Sequence, residues 1–214
     1  MRRPALTAVL ALLVVAPAAA FVKPVTLSGD LDGDRPLEKV EAVRVDVEGV
    51  EDAFDQTAIR VSDSCRGQRV SQRVAGPQDN LATLRLKSLD TRAGREIFVD
   101  MRSGASGRLG EARVVAWRRG GSGCRRPRSL FTYLSTRPTK SPPGATREIS
   151  LYALRARSLT RRFRGTELML VEQFLRRGEP SCCGSIRKTT LLRYSRARDR
   201  YVVYGSSVRR NAPG

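Results

Sequence analysis

The sequence predicts an all-β protein of three four-stranded antiparallel units, arranged like propeller blades or packed as a sandwich. Three observations predict it. Short β-branched and aromatic runs alternate with Gly, Pro, Ser and Arg along the chain, and almost nothing shows a helical period. These runs fall into groups of four. The groups begin at intervals of roughly 60 residues, within the range of repeat arrays. Three blades are few for a closed propeller, so an open array and a sandwich both satisfy the pattern.

The elements follow in order. Residues 1–20 read as a signal peptide, with Arg2 and Arg3 as the positive n-region, Leu6–Val15 as the apolar stretch and Ala18-Ala19-Ala20 as the small-residue cleavage site. The mature chain is then expected to start at Phe21 and to be secreted, with no transmembrane span and no lipid-attachment Cys. Residues 21–214 read as a single all-β repeat domain with units near 21–78, 79–135 and 147–207. The first unit holds Val22–Leu27, Lys39–Val47, Thr57–Val61 and Gln68–Val74. The second holds Leu81–Leu86, Arg95–Met101, Ala112–Trp117 and Ser129–Tyr133. The third holds Arg147–Leu154, Thr166–Phe174, Thr189–Tyr194 and Arg200–Tyr204. Two stretches read as exposed loops, Gly120–Arg128 and the Pro-containing Thr136–Thr146.

Charge and cysteine content narrow the function. Of 214 residues, 40 are Lys or Arg, 21 are Asp or Glu and none is His, a net charge of +19. The balance is uneven. Residues 21–55 carry four basic and ten acidic residues, a net of −6, while residues 56–214 carry 34 basic and 11 acidic, a net of +23. An acidic head therefore precedes a strongly basic body. The Arg-rich runs at 118–128 and 155–164 are suited to gripping phosphates or carboxylates, and Arg155, Arg157, Arg161, Arg162 and Arg164 are the candidate polyanion-binding residues. Aromatic content of 6% argues against a base-stacking nucleic-acid surface. In an oxidising compartment Cys65, Cys124, Cys182 and Cys183 are expected to form disulfides. Cys65–Cys124 with a vicinal Cys182–Cys183 pair is preferred; the crossed pairings stay open.

The absence of His rules out Ser-His-Asp and Cys-His sites, and the Cys spacing is not that of a zinc ribbon. Ser185-Ile186-Arg187-Lys188 matches Ser-x-x-Lys but precedes a strand, whereas that nucleophile motif opens a helix. Paired carboxylates drawn from Glu96, Glu167 and Glu172 remain as hydrolase candidates, although Glu96 and Glu167 recur at the same place in successive units.

The stretch Gly29-Asp30-Leu31-Asp32-Gly33-Asp34, followed by Glu38 and a Val-rich strand, sets carboxylates at alternate positions. Such a turn lets several oxygens converge on one Ca²⁺; it reads equally as a solvated hairpin in which Asp caps local N–H groups. It resembles the Asp-rich turn of FG-GAP or VCBS repeats. The resemblance implies a β-propeller-like fold with Asp30, Asp32, Asp34 and Glu38 at the ligand positions for Ca²⁺. Arg35 stands where that turn has Gly. The turn echoes at Asp90 and Glu96, and again at Gly165-Thr166-Glu167. Pro180-Ser181-Cys182-Cys183 is similar to a signature of secreted actinobacterial lipoproteins of the LppP/LprE type, which implies a cell-envelope protein. The expectation is a secreted, non-catalytic binding or structural module of the cell envelope, stabilised by Ca²⁺ at that turn, with affinity for an anionic wall polymer or glycan and none for specific nucleic acid. The alternative is an exported carboxylate-dependent hydrolase.

Overall fold

A computed structural model describes residues 25–34, 37–45, 56–65, 68–78, 80–90, 92–103, 109–120, 123–158, 166–180 and 184–210. Among them the chain forms twelve strands and no helix. The strands are β1 (Thr26–Gly29), β2 (Glu38–Val45), β3 (Gln56–Cys65), β4 (Gln68–Gln78), β5 (Asn80–Lys87), β6 (Glu96–Ser103), β7 (Leu109–Arg119), β8 (Arg125–Leu134), β9 (Ile149–Ser158), β10 (Thr166–Phe174), β11 (Ile186–Ser195) and β12 (Arg200–Arg210). They build three four-stranded sheets, ordered β1-β2-β3-β4, β5-β6-β7-β8 and β9-β10-β11-β12. Every pairing is antiparallel and joins strands consecutive in sequence. Each expected group of four runs is thus one up-and-down sheet. No helix among the described residues is long and apolar enough to cross a membrane.

The middle sheet, β5–β8, is covered on both faces, and its sequence shows why. A strand exposes alternate side chains to opposite faces. In β6, Ile97, Val99 and Met101 enter one core, shared with Val40, Ala42, Ile59, Val61 and Val74 of the first sheet. Phe98 points the other way, into the core shared with Leu154, Leu168, Leu170 and Phe174 of the third sheet. β7 splits likewise: Val115 and Trp117 face the first sheet, whereas Ala112, Val114 and Ala116 face the third. A strand apolar on both faces reads as a continuous run, which is the pattern of Ile97-Phe98-Val99 and Val114-Val115-Ala116-Trp117. Each large side chain so buried contributes about 1.5–3 kcal/mol. In the first sheet the outward residues Lys39, Glu41 and Arg60 are polar, and Lys39 pairs with Glu41 at 2.6 Å.

One of the two expected loops needs correction. Arg125–Arg128 is not loop but the start of β8. Pro127 is tolerated there because β8 is the sheet edge, where one side of the strand needs no ladder donors. The connection from β8 to β9 is irregular, as expected, yet not simply exposed. Pro142 is buried and Ala145 packs against the second core. The Thr139 amide donates to Glu172 Oε1 at 2.8 Å, fastening the connection to β10. The first expected run also shifts. Its strand is Thr26–Gly29, where each residue pairs with one of Glu38–Glu41, while residues 22–24 lie outside the described part.

Candidate functional site

The β1–β2 turn is organised by its own carboxylates. Asp30 Oδ1 accepts the Gly33 amide at 2.5 Å, Asp32 Oδ1 accepts the Asp34 amide at 3.1 Å, and Glu38 Oε2 accepts the Leu31 amide at 2.7 Å. The β5–β6 turn repeats the arrangement. Glu96 Oε2 accepts the Leu89 amide at 2.6 Å, seven residues back as in Leu31–Glu38, and the Asp90 amide at 3.2 Å. Asp90 Oδ1 accepts the Arg92 amide two residues on, as Asp32 does from Asp34. The Asp–Leu–Asp spacing is lost in the second turn, but the Glu that opens the following strand keeps its role. Glu38 and Glu96 are both buried.

In each turn an arginine pairs with two of the carboxylates. Arg125, at the start of β8, places Nε 2.5 Å from Asp32 Oδ2 and a terminal nitrogen 2.5 Å from Asp34 Oδ2. Arg118, at the end of β7, pairs with Asp90 and lies 3.7 Å from Glu96 Oε1. Within the Arg-rich run at 118–128, Arg118, Arg125 and Arg128 thus pair with carboxylates of the same chain. The two turns also dock on each other. The Arg95 amide donates to the Asp30 carbonyl at 2.9 Å. Gly94 has φ +96, and a Cβ there would stand 2.5 Å from the Leu31 carbonyl oxygen.

The third sheet uses its corresponding Glu differently. Glu167 opens β10 beside Arg193 of β11 and accepts hydrogen bonds from Tyr204 and, at 3.4 Å, from Arg193, whose guanidinium lies 4.6 Å from the Tyr204 ring centroid. Glu172, five residues along the strand, projects to the opposite face and accepts from Tyr133 at 3.0 Å and from Thr139. Glu167 and Glu172 therefore do not converge on one cleft.

Burial and like charge govern the acids. Asp32 is pushed up to about 7, chiefly by burial, then by its bond with Asp34 and the nearby Glu38. Asp34 moves down through the same bond, and Arg125 holds it there. Burial raises Glu38, and it raises Glu96 to about 7, with Asp90 adding to the effect and Arg118 opposing it.

Of the predicted calcium ligands, Asp30, Asp32 and Glu38 each offer an oxygen within 4.8 Å of the others. Asp34 is not in that group and turns to Arg125 instead. The donor set falls short of a calcium cage, which needs six to eight oxygens. Asp32 is already paired with a guanidinium, and Asp30 and Glu38 each spend an oxygen on a backbone amide.

Six further arginines lie at the same end of the molecule. Arg119, Arg126 and Arg128 lie exposed around the β7–β8 turn. Arg196, Arg198 and Arg200 lie exposed at the β11–β12 turn. Asp199 in that turn joins the two groups: it accepts from Tyr194 at 2.6 Å and pairs with Arg92 at 3.4 Å and Arg128 at 3.7 Å. Sequence reasoning did not single out Arg196, Arg198 and Arg200. The signal was present, as Arg-Ala-Arg-Asp-Arg in a turn before an apolar strand. Among the residues it did single out, Arg155 is exposed on β9, Arg157 lies on β9 with its side chain outside the described part, and Arg161, Arg162 and Arg164 lie wholly outside it. Cys124 is disulfide-bonded; the side chains of Cys65, Cys182 and Cys183 fall outside the described residues. No family model, curated protein or solved structure matches this chain.

Proposed function

We propose that this protein is a secreted, non-catalytic binding module of the cell envelope that holds anionic polymer on the arginine-rich end of its stacked sheets. The observation that carries the reading is the grouping of exposed Arg119, Arg126, Arg128, Arg196, Arg198 and Arg200 on two neighbouring turns, joined by the Arg128–Asp199 contact. Guanidinium groups bind phosphate and carboxylate in a planar fork and stay charged at every physiological pH. The strands that carry them are set by hydrogen-bonded ladders, so less ordering is needed when a repeating anion is bound. The acidic turns serve this end structurally. Arg118 and Arg125 neutralise buried carboxylates, and the turns of the first and middle sheets are locked together. In this reading Arg125 supplies at the first turn the positive charge that Ca²⁺ supplies in the turns it resembles.

The test is retention of the mature chain on immobilised polyphosphate and polyglutamate as salt is raised. Specific engagement gives a linear fall of log affinity with log salt. An R126Q/R128Q/R198Q/R200Q variant should lose affinity and flatten the slope by roughly one unit per phosphate contact removed. Binding that is absent at low salt, or unaltered in this variant, would remove the polymer-binding reading.

A further inference from the structure

Between the middle and third sheets, on the side of their last strands, lies a cavity of about 300 Å³. β8 and β12 are the sheet edges that flank it. Its walls are mainly apolar: Phe131, Tyr133, Leu134, Leu170, Leu192 and Val203. Thr132, Thr139, Thr190 and Arg137 also line it, and no acid among the described residues does. We propose that this cavity is a binding site for a small amphiphilic anion of about ten non-hydrogen atoms in all, an apolar chain ending in one carboxylate.

Three features carry the assignment. The first is size. About 30 Å³ per water-sized group sets the cavity at roughly ten such groups, the small end of ligand pockets. The second is an unmet polar group. Thr190 is 4% exposed, and its hydroxyl oxygen has no hydrogen-bond partner. A buried hydroxyl left unpaired is costly, and a ligand oxygen brought to it would make the bond that folding left unmade. The third is charge. Arg137 is the only cationic lining residue among the described residues, it is exposed, and its backbone amide is fixed by the Leu134 carbonyl at 2.9 Å. Glu172, whose partners Tyr133 and Thr139 line the cavity, lies behind that wall, and Lys188 donates to the Thr139 hydroxyl at 2.8 Å. Both Glu172 oxygens are thereby hydrogen-bonded within the protein. The polar groups place the anion toward Arg137 and the apolar body, with any second oxygen, toward Thr190. This site is separate from the arginine-rich end and does not depend on the polymer-binding reading.

Calorimetric titration of the full mature chain with octanoate, 1-octanol and 8-hydroxyoctanoate tests the proposal. Octanoate should bind saturably at one site and at least tenfold more tightly than octanol. R137Q should erase that difference, while R126Q, at the far end, should leave it intact. V203W, at a position 60% exposed, should fill the cavity and abolish binding without lowering the melting temperature. T190V should raise the melting temperature and remove any advantage of 8-hydroxyoctanoate over octanoate. Absence of saturable binding overturns the proposal. So does binding that V203W leaves unchanged, because that would be adsorption to the basic surface. Equal affinity for octanoate and octanol would overturn the carboxylate assignment.

Discussion

Removing the Arg118 guanidinium should cost far more than an ordinary arginine substitution. The Asp90 and Glu96 side chains are fully shielded from solvent, and Arg118 keeps only 17% of its side chain exposed. An exposed ion pair is worth about 0–1 kcal/mol. Stripping one partner from a buried pair costs about 3–5 kcal/mol, because the remaining charge is left without a counter-charge or water. In R118M two carboxylates share that fate, side by side. Proton uptake limits the damage. Glu96 already sits near 7, with Arg118 as one influence holding it down, so its carboxyl rises further in the variant and is neutral in acid. The assay is urea unfolding followed by tryptophan fluorescence at pH 8.5 and pH 5.5. Trp117 is the sole tryptophan and is buried against the first sheet, so it reports on that packing. R118M should lose about 3 kcal/mol or more at pH 8.5 and roughly half as much at pH 5.5. The triple variant D90N/E96Q/R118M, which has no buried charge at this corner, should recover most of the loss. A cost below about 1 kcal/mol at both pH values would refute the account, as it would place these groups in the weak, hydrated class.

Three further outcomes follow from the same geometry. An acid whose folded pKa is raised binds its proton more tightly in the folded state. Stability from Glu96 and Asp32 is therefore greatest below their ordinary values of 4.5 and 3.8, and it falls as pH rises to about 7; E96Q should flatten its share of a midpoint-against-pH curve. G94A places a side chain at positive φ against the Leu31 carbonyl and should lower stability by at least about 1–3 kcal/mol in denaturant melts, whereas A93G, at an exposed neighbour, should cost less than about 1 kcal/mol. If Arg125 stands in for a cation, added Ca²⁺ should leave the wild-type melting temperature unchanged and raise that of R125Q; a rise in the wild type would mean that the ion displaces the guanidinium.

Much of the fold is local information. Strand formation depends on neighbouring residues alternating between two environments, and each of the twelve runs overlaps a strand, most of the strands extending beyond the apolar stretch. β11 gains Ile186, Arg187 and Lys188 at its start because its ladder to β10 continues to Phe174 whatever the side chain. The grouping into three meanders is legible too, because short connections favour antiparallel neighbours. The Asp30–Glu38 turn is visible for the same reason: its backbone contacts span at most seven residues. The order of stacking is not local. That the middle sheet is buried on both faces shows only as two unbroken apolar runs, and those runs do not name the sheets that cover them. Arg125 meets Asp34 across 91 residues and Arg118 meets Asp90 across 28. Nothing in the run Arg118–Arg128 separates the arginines that neutralise buried acids from those left to face a ligand. That division, like the cavity beside Thr190, exists only once the sheets pack, because it is set by which atoms each side chain meets across a sheet interface.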